Sequence, residues 1–337
     1  MPHTDLPTAE RMAAALAALR PSVRETPLLE SAVLAREAGA ARLFVKAEGL
    51  QRTGSFKLRG ALWRLMQLDA SARARGVVAF SSGNFAQGLA AAGRELGVPV
   101  TIVMPVDAPD AKRRATEALG AEVVLSHHGD APREVVAAAL ARRLAEERGL
   151  TLLHPFDDPE VVAGQGTVGL EALAQMEEAG AVPDVVVSPV GGGGLMGGVS
   201  LALRAAHPGV VIWGAEPEGH DGMGRSLRAG DRVAAPGGPT VCDALQAPMP
   251  GAVTLAACRA AGVAGVAVAD GPVMRAMARA FEELKLVLEP SGAVALAAVL
   301  SGAVPVAGKV VLVIASGGNI AFDRFAECLA RAARAQG

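Results

Sequence analysis

Apolar residues along the chain fall into short dense runs, and between those runs they recur every three or four positions among charged and small residues. The dense runs predict buried strands at Leu43–Val45, Val77–Phe80, Val100–Met104, Glu122–Leu125, Leu152–Leu153, Val185–Ser188, Val210–Gly214 and Val310–Ile314. The recurring stretches predict helices at Phe85–Leu96, Pro109–Leu119, Pro132–Arg148 and Pro159–Glu178, the second with its proline just inside the start. Strand and helix alternate, so the chain reads as α/β with largely parallel sheets built from βα units. No repeat or low-complexity tract interrupts the pattern. The Gly/Pro-rich stretch Ala234–Pro250 reads either as an ordered excursion or as a mobile loop.

Four polar or glycine-rich segments break the pattern where chemistry can sit. Lys57 lies in Gly54-Ser55-Phe56-Lys57-Leu58-Arg59-Gly60-Ala61, a small and apolar setting that opens a helix. Desolvation favours the neutral amine, the form that makes Schiff bases, whereas an ordinary lysine in a first helical turn is simply solvated. Ser81-Ser82-Gly83-Asn84-Phe85 follows a predicted strand and starts a helix. Backbone N–H groups and two hydroxyls gather there as they would around a carboxylate, and the same composition equally makes a plain helix cap. Gly191-Gly192-Gly193-Gly194-Leu195 follows the strand Val185–Ser188. It lacks the Lys-Ser/Thr ending of the nucleotide P-loop and suits a backbone that approaches a phosphate closely. Ser316-Gly317-Gly318-Asn319 puts a hydroxyl at the carboxyl end of the strand Val310–Ile314, where open α/β sheets hold ligands; alone, it is as readily a turn serine.

Gly164-Gln165-Gly166-Thr167-Val168-Gly169 satisfies the dinucleotide pattern G-x-G-x-x-G, but Asp157-Asp158-Pro159-Glu160 stands before it instead of a strand. Small residues packing one helix on another explain it better. Among 337 residues, 51% are hydrophobic and 20% charged, which fits a globular chain of one large or two modest domains with an ample core. A net charge of -2 gives no basic footprint for nucleic acid or an anionic membrane. Tyrosine is absent, so it leaves the list of catalytic acids and bases. Cys242, Cys258 and Cys328 are odd in number and widely spaced, neither a disulfide framework nor a metal-ligand set. The histidines form no HExxH, and His127-His128 read as solvated. Met12–Leu19 is too short to span a membrane and lacks the layout of an export signal, so a cytoplasmic enzyme is expected.

In this order the four segments resemble the serine/threonine dehydratases, pyridoxal-phosphate (PLP) enzymes of the tryptophan synthase β-like fold, or fold type II. His154-Pro155-Phe156-Asp157-Asp158-Pro159 and Leu288-Glu289-Pro290-Ser291-Gly292-Ala293 extend the likeness, which covers about Glu25 to Arg331. The resemblance implies largely parallel twisted sheets flanked by helices in two domains. A small α/β domain, 75–153, would be inserted in a large cofactor-binding domain made of 1–74 and 154–337. It implies that Lys57 carries PLP and moves the α-proton, that Gly191, Gly192, Gly193, Gly194 and Leu195 hold the phosphate, and that Asn84 meets the ring oxygen. Phe56 would pack on the ring and Ser316 would face its nitrogen. Ser81, Ser82, Gly83, Asn84 and Phe85 would bind the substrate, with Ser82 as the second proton-transfer group.

A hydroxyl at position 316 cannot stabilise a protonated ring nitrogen by charge, which favours elimination over transamination. Leu58-Arg59-Gly60 after the lysine is similar to dehydratases and racemases, not to the Lys-Asp-Arg of cysteine and threonine synthases. The implied activity is therefore β-elimination of water from L-threonine or L-serine, giving 2-oxobutyrate or pyruvate plus ammonia. The alternatives are a serine racemase, a dehydratase of 3-hydroxyaspartate or β-phenylserine, and a non-catalytic amino-acid sensor, which the intact Lys57 and glycine loop disfavour. Three departures stand out. Phe85 replaces a histidine and makes the pocket less polar, so neutral substrates are expected over 3-hydroxyaspartate. Ala244 replaces a glycine against the ring. The racemase branch binds a divalent ion with a Glu, a carbonyl four residues on and an Asp six on; Glu216 and the His220 carbonyl match, but Gly222 replaces the Asp, beside Asp221. Any Mg²⁺ or Ca²⁺ site would be weakened, and Glu216 otherwise reads as a strand-end acid paired with an arginine. A homodimer or homotetramer is expected, without a C-terminal regulatory domain after Gly337.

Overall fold

The computed structural model describes residues 6–129, 131 and 133–334. In chain order the strands are β1 (Leu28–Glu30), β2 (Arg42–Ala47), β3 (Val77–Phe80), β4 (Val100–Pro105), β5 (Glu122–Ser126), β6 (Thr151–Leu153), β7 (Val185–Pro189), β8 (Val211–Pro217), β9 (Ala264–Val268) and β10 (Val310–Ala315). They form a six-stranded sheet in the order β1-β2-β10-β7-β8-β9 and a four-stranded sheet in the order β5-β4-β3-β6. Every neighbouring pair is parallel except β1 with β2. This is the fold class that the alternation of runs predicts.

All eight predicted strands are present, with Val210 falling just outside β8. The two that the pattern does not reveal have physical reasons. β1 is three residues long and pairs antiparallel at the sheet edge, and β9 reads Ala-Gly-Val-Ala-Val, a composition with little strand preference of its own. The four predicted helices appear as Asn84–Leu96, Asp110–Ala118, Arg133–Arg148 and Pro159–Glu178. Pro109 is the residue before its helix instead of the first inside it, and Pro132 lies outside the described residues.

The large sheet is covered on both faces, which is why β7 and β10 at its centre run apolar through consecutive positions, Val185–Val187 and Val310–Ala315, instead of at alternate ones. Val45, Val187 and Val313 pack with Val273, Met277 and Val294 on one face, while Phe44, Val186 and Leu312 pack with Val168, Met196 and Leu203 on the other. Helices Lys57–Met66, Pro159–Glu178 and Gly194–Ala206 meet backbone to backbone at glycines. A Cβ on Gly164 would lie 2.6 Å from Gly60 Cα, and one on Gly198 would lie 2.5 Å from Gly166 N. The apparent dinucleotide fingerprint is thus a mid-helix packing surface.

A buried ionic cluster fixes these elements together. Arg59, two residues after Lys57, places Nη2 2.7 Å from Glu48 Oε1 and 2.8 Å from Glu171 Oε1, with Nε 2.9 Å from Glu48 Oε2 and Nη1 2.9 Å from Glu171 Oε2. Lys46 Nζ adds contacts to Glu171 Oε1 at 2.6 Å and to Thr26 O at 2.6 Å. Burial works against the charge on Arg59, yet the two carboxylates reverse that and raise its pKa. Two cations face two anions, so the cluster is neutral as a unit while each member alone would be very costly.

We expect Arg59→Met to destabilise the protein by about 3–5 kcal/mol, because it leaves Glu48 and Glu171 buried without their shared cation. Removing the exposed Arg324–Glu327 pair should cost no more than about 1 kcal/mol. Urea unfolding followed by circular dichroism compares the two. Equal losses would mean that burial does not distinguish them.

Candidate active site

The candidate residues sit at the carboxyl ends of strands in the large sheet and at the start of the helix that follows β3. Phe56 N–H donates to Ser316 O at 3.2 Å, and Ser55 bridges Gly317, so the lysine segment is tied to the end of β10. From there contacts run in a closed circuit. Lys57 Nζ donates to Pro155 O at 3.1 Å. Phe156 lays its ring on Gly192, where a Cβ would lie 2.4 Å from ring atoms, and touches Gly194. Gly191 faces Leu245 and the Ala244 carbonyl; Ala244 N–H donates to Ser291 Oγ at 3.0 Å. Ser291 follows Glu289 by two residues, and Glu289 Oε1 accepts from Asn84 Nδ2 at 2.6 Å. Asn84 Oδ1 accepts from Asn319 Nδ2 at 2.8 Å, beside Gly317 and Ser316.

Of the residues singled out in the sequence, Phe56, Lys57, Asn84, Gly191 to Leu195 and Ser316 all lie on or next to this circuit. Ser81, Ser82 and Gly83 form a turn at its edge: Ser81 Oγ accepts from Gly83 N–H at 3.2 Å, and Ser82 Oγ accepts from Arg133 Nη2 at 3.3 Å. Phe85 is 2% exposed and packs with Leu58, Ala61 and Leu89. Lys57 Nζ lies 5.7 Å from its ring centre and 5.1 Å from that of Phe56.

Burial pushes the Lys57 amine down to about 8, with the Glu289 carboxylate pulling in the other direction. The two rings attract the ammonium, but desolvation is the larger effect and wins. Burial pushes Glu289 up to about 7, Asp243 adds to it, and the Asn84 hydrogen bond opposes it. Burial lowers the pKa of His154, which sits edge-on between Phe80 and Phe156 with Nδ1 accepting from Asp157 N–H at 2.9 Å.

Sequence reasoning gave no role to Glu289, Asn319, Phe156, Arg133 or Thr254. Glu289 precedes Pro290 at a helix start, where an acid ordinarily caps; here its side chain makes no cap and turns to Asn84. A Mg²⁺ or Ca²⁺ site on Glu216 and the His220 carbonyl finds no support. Both Glu216 oxygens are taken by backbone N–H groups, Met223 on Oε1 and Gly224 on Oε2, each at 2.8 Å. The acid serves the start of helix Gly222–Ala229, and burial raises it to about 8. His220 turns its ring to Gly238 O, and no cluster of three or more metal-binding side chains forms among the described residues.

Residues 19–317 match the family described as "Pyridoxal-phosphate dependent enzyme". The chain is 42% identical over 313 residues to the L-threonine ammonia-lyase of Thermotoga maritima, covering 93% of this chain and 76% of the relative. It is 41% identical over 305 residues to an L-threo-3-hydroxyaspartate ammonia-lyase of a Pseudomonas species, covering 90% and 92%. The solved structure of maize serine racemase superposes with a TM-score of 0.88 at 32% identity, covering 98% of each chain.

The raised pKa of Glu289 has a thermodynamic consequence. The folded protein holds this proton more tightly than the unfolded chain, so the stabilisation is complete below the ordinary value of 4.5 and is lost as pH rises through about 7. We expect Glu289→Gln to flatten the loss of stability between about pH 5 and about pH 7.5, measured as urea midpoints without added cofactor. Parallel curves for the two proteins would remove Glu289 as a buried acid.

Proposed function

Because this chain belongs to the pyridoxal-phosphate-dependent enzyme family, we propose that it is an ammonia-lyase that eliminates water from L-threonine and L-serine. The products are 2-oxobutyrate or pyruvate, with ammonia. The observation that carries the reading is the closed circuit: one lysine of lowered proton affinity, ringed by Asn84, Ser316 and a loop of free backbone donors. The names of the relatives support the reaction class.

The residues fit the cofactor. Among the described residues, the N–H groups of Gly191 to Met196 find no acceptor, and only at Gly197 does an N–H reach back, to Gly193 O at 2.7 Å. Gly193 stands at φ +97, a left-handed conformation that lets successive N–H groups converge on an anion. We assign the phosphate to this loop, the ring oxygen to Asn84, the ring nitrogen to Ser316 and the covalent attachment to Lys57. Once bound, PLP supplies an electron sink for the charge left when the α-hydrogen departs.

The chain does the rest. Lys57 Nζ takes up and returns a proton on its own face, near neutrality because burial has lowered its pKa to about 8. Ser82 Oγ accepts from Arg133 and so keeps its own proton free to donate toward a leaving hydroxyl. Ser316 offers a hydroxyl without charge, which supports elimination over transamination. We further read 75–153, which holds β3 to β6, as a small domain, and 1–74 with 154–337 as the large one. We place the enzyme in the cytoplasm as a homodimer or homotetramer; its three cysteines are buried and unpaired, and no helix among the described residues is long and apolar enough to cross a membrane.

A second substrate reading has one specific observation behind it. Arg133 lies beside Ser82, where a 3-hydroxyaspartate side chain could meet it. Its charge is already matched, however, by Asp107 at 3.1 Å. We expect kcat/KM for L-threonine to exceed that for L-threo-3-hydroxyaspartate by about tenfold, and Lys57→Ala to lose about a thousandfold or more in 2-oxoacid release. The reverse substrate order would favour the Arg133 reading. D-serine accumulating from L-serine without pyruvate would mean a racemase.

A further inference from the structure

Thr254 belongs to none of the segments that the sequence marks as chemical. It is fully buried in the first turn of helix Ala252–Ala260. Its Oγ1 lies 2.6 Å from Gly192 O and 3.2 Å from Gly251 O. A hydroxyl has one proton to give, and the shorter contact takes it. Gly192 O also accepts Gly251 N–H at 3.2 Å, so the carbonyl is gripped by two donors from the same turn. That turn is itself anchored: Asp157, next to Phe156, accepts Ala252 N–H at 3.0 Å and Val253 N–H at 2.8 Å.

A trans peptide points its C=O and the next residue's N–H in opposite directions. Holding Gly192 O against Thr254 therefore aims Gly193 N–H away from that helix, and this N–H has no acceptor among the described residues. Gly193 itself has no latitude, since a Cβ there would lie 2.5 Å from Met223 Cε and 2.8 Å from Thr254 Oγ1. We propose that Thr254 is a positioning residue of the anion loop: its hydroxyl fixes the Gly192–Gly193 peptide so that Gly193 N–H faces the cofactor phosphate. The proposal rests on the PLP reading above. The competing role for the same contact is local, a threonine that merely secures its own helix start.

Pyridoxal, which lacks the phosphate, separates the two roles. The full chain and its Thr254→Val and Thr254→Ser variants are reconstituted with PLP and with pyridoxal, and both dissociation constants are read from the absorbance of the bound cofactor. The wild type should bind PLP far more tightly than pyridoxal. Thr254→Val should shrink that ratio by about tenfold with pyridoxal binding unchanged, and Thr254→Ser should stay within about twofold of wild type. A valine variant that keeps the full ratio, or that weakens both ligands equally, overturns the proposal but leaves the cofactor reading intact. A wild type with no preference for the phosphorylated ligand overturns both. If the valine variant does not fold, Thr254→Cys, a weak donor of similar shape, carries the same comparison.

Discussion

The site depends on the grip of Glu48 and Glu171 on Arg59. A guanidinium is planar and always charged, so two carboxylates that clasp its edges fix both its position and its rotation. Arg59 shares the first turn of its helix with Lys57, and Glu171 lies in the helix that packs across it. The start of the lysine helix is thereby located to the length of a hydrogen bond. Lysine itself could not supply this constraint, because its amine has to stay free for chemistry. The chain separates the two tasks across two neighbouring basic residues: one fully neutralised and immobile, the other left with little to neutralise it.

That separation sets the electrostatics. Lys57 and Glu289 are pushed toward each other on the pH scale, the amine down to about 8 and the acid up to about 7. Both shifts have the same first cause, removal from water, and neither group has the close counter-charge that holds Arg59 ionised. A buried acid near neutrality then controls which way Asn84 presents its amide, since the Asn84 Nδ2 donates to Glu289 and its Oδ1 accepts from Asn319. The orientation of a single neutral side chain is set by a partner on each side of its amide.

The strands and the long helices were legible because their signal is local: an unbroken apolar run or a recurrence every three to four residues. Asn84, the glycine loop and Ser316 were legible because each follows a strand closely, and Lys57 because a lone basic residue opens a helix in a small and apolar setting. Glu289 was not, because a glutamate ahead of a proline looks like a helix start, and its partner Asn84 comes near only through the fold. Phe85 is legible as a departure in residue type, but what it touches, Leu58 and Leu89 with Lys57 Nζ 5.7 Å from its ring, is decided by packing. Glu216 reads in the sequence as a metal ligand or as an acid paired with an arginine, and in the fold its two oxygens accept the N–H groups of Met223 and Gly224.

The contact between Phe156 and Gly192 carries a consequence for how this sequence can change over time. An added methyl at Gly192 would occupy the space of the Phe156 ring, 2.4 Å from three of its atoms. The two positions therefore cannot drift independently: alanine at 192 becomes admissible only in a lineage that has already replaced the ring with something smaller. The order of the two replacements is fixed in advance: a smaller side chain at 156 can come alone, and alanine at 192 only after it.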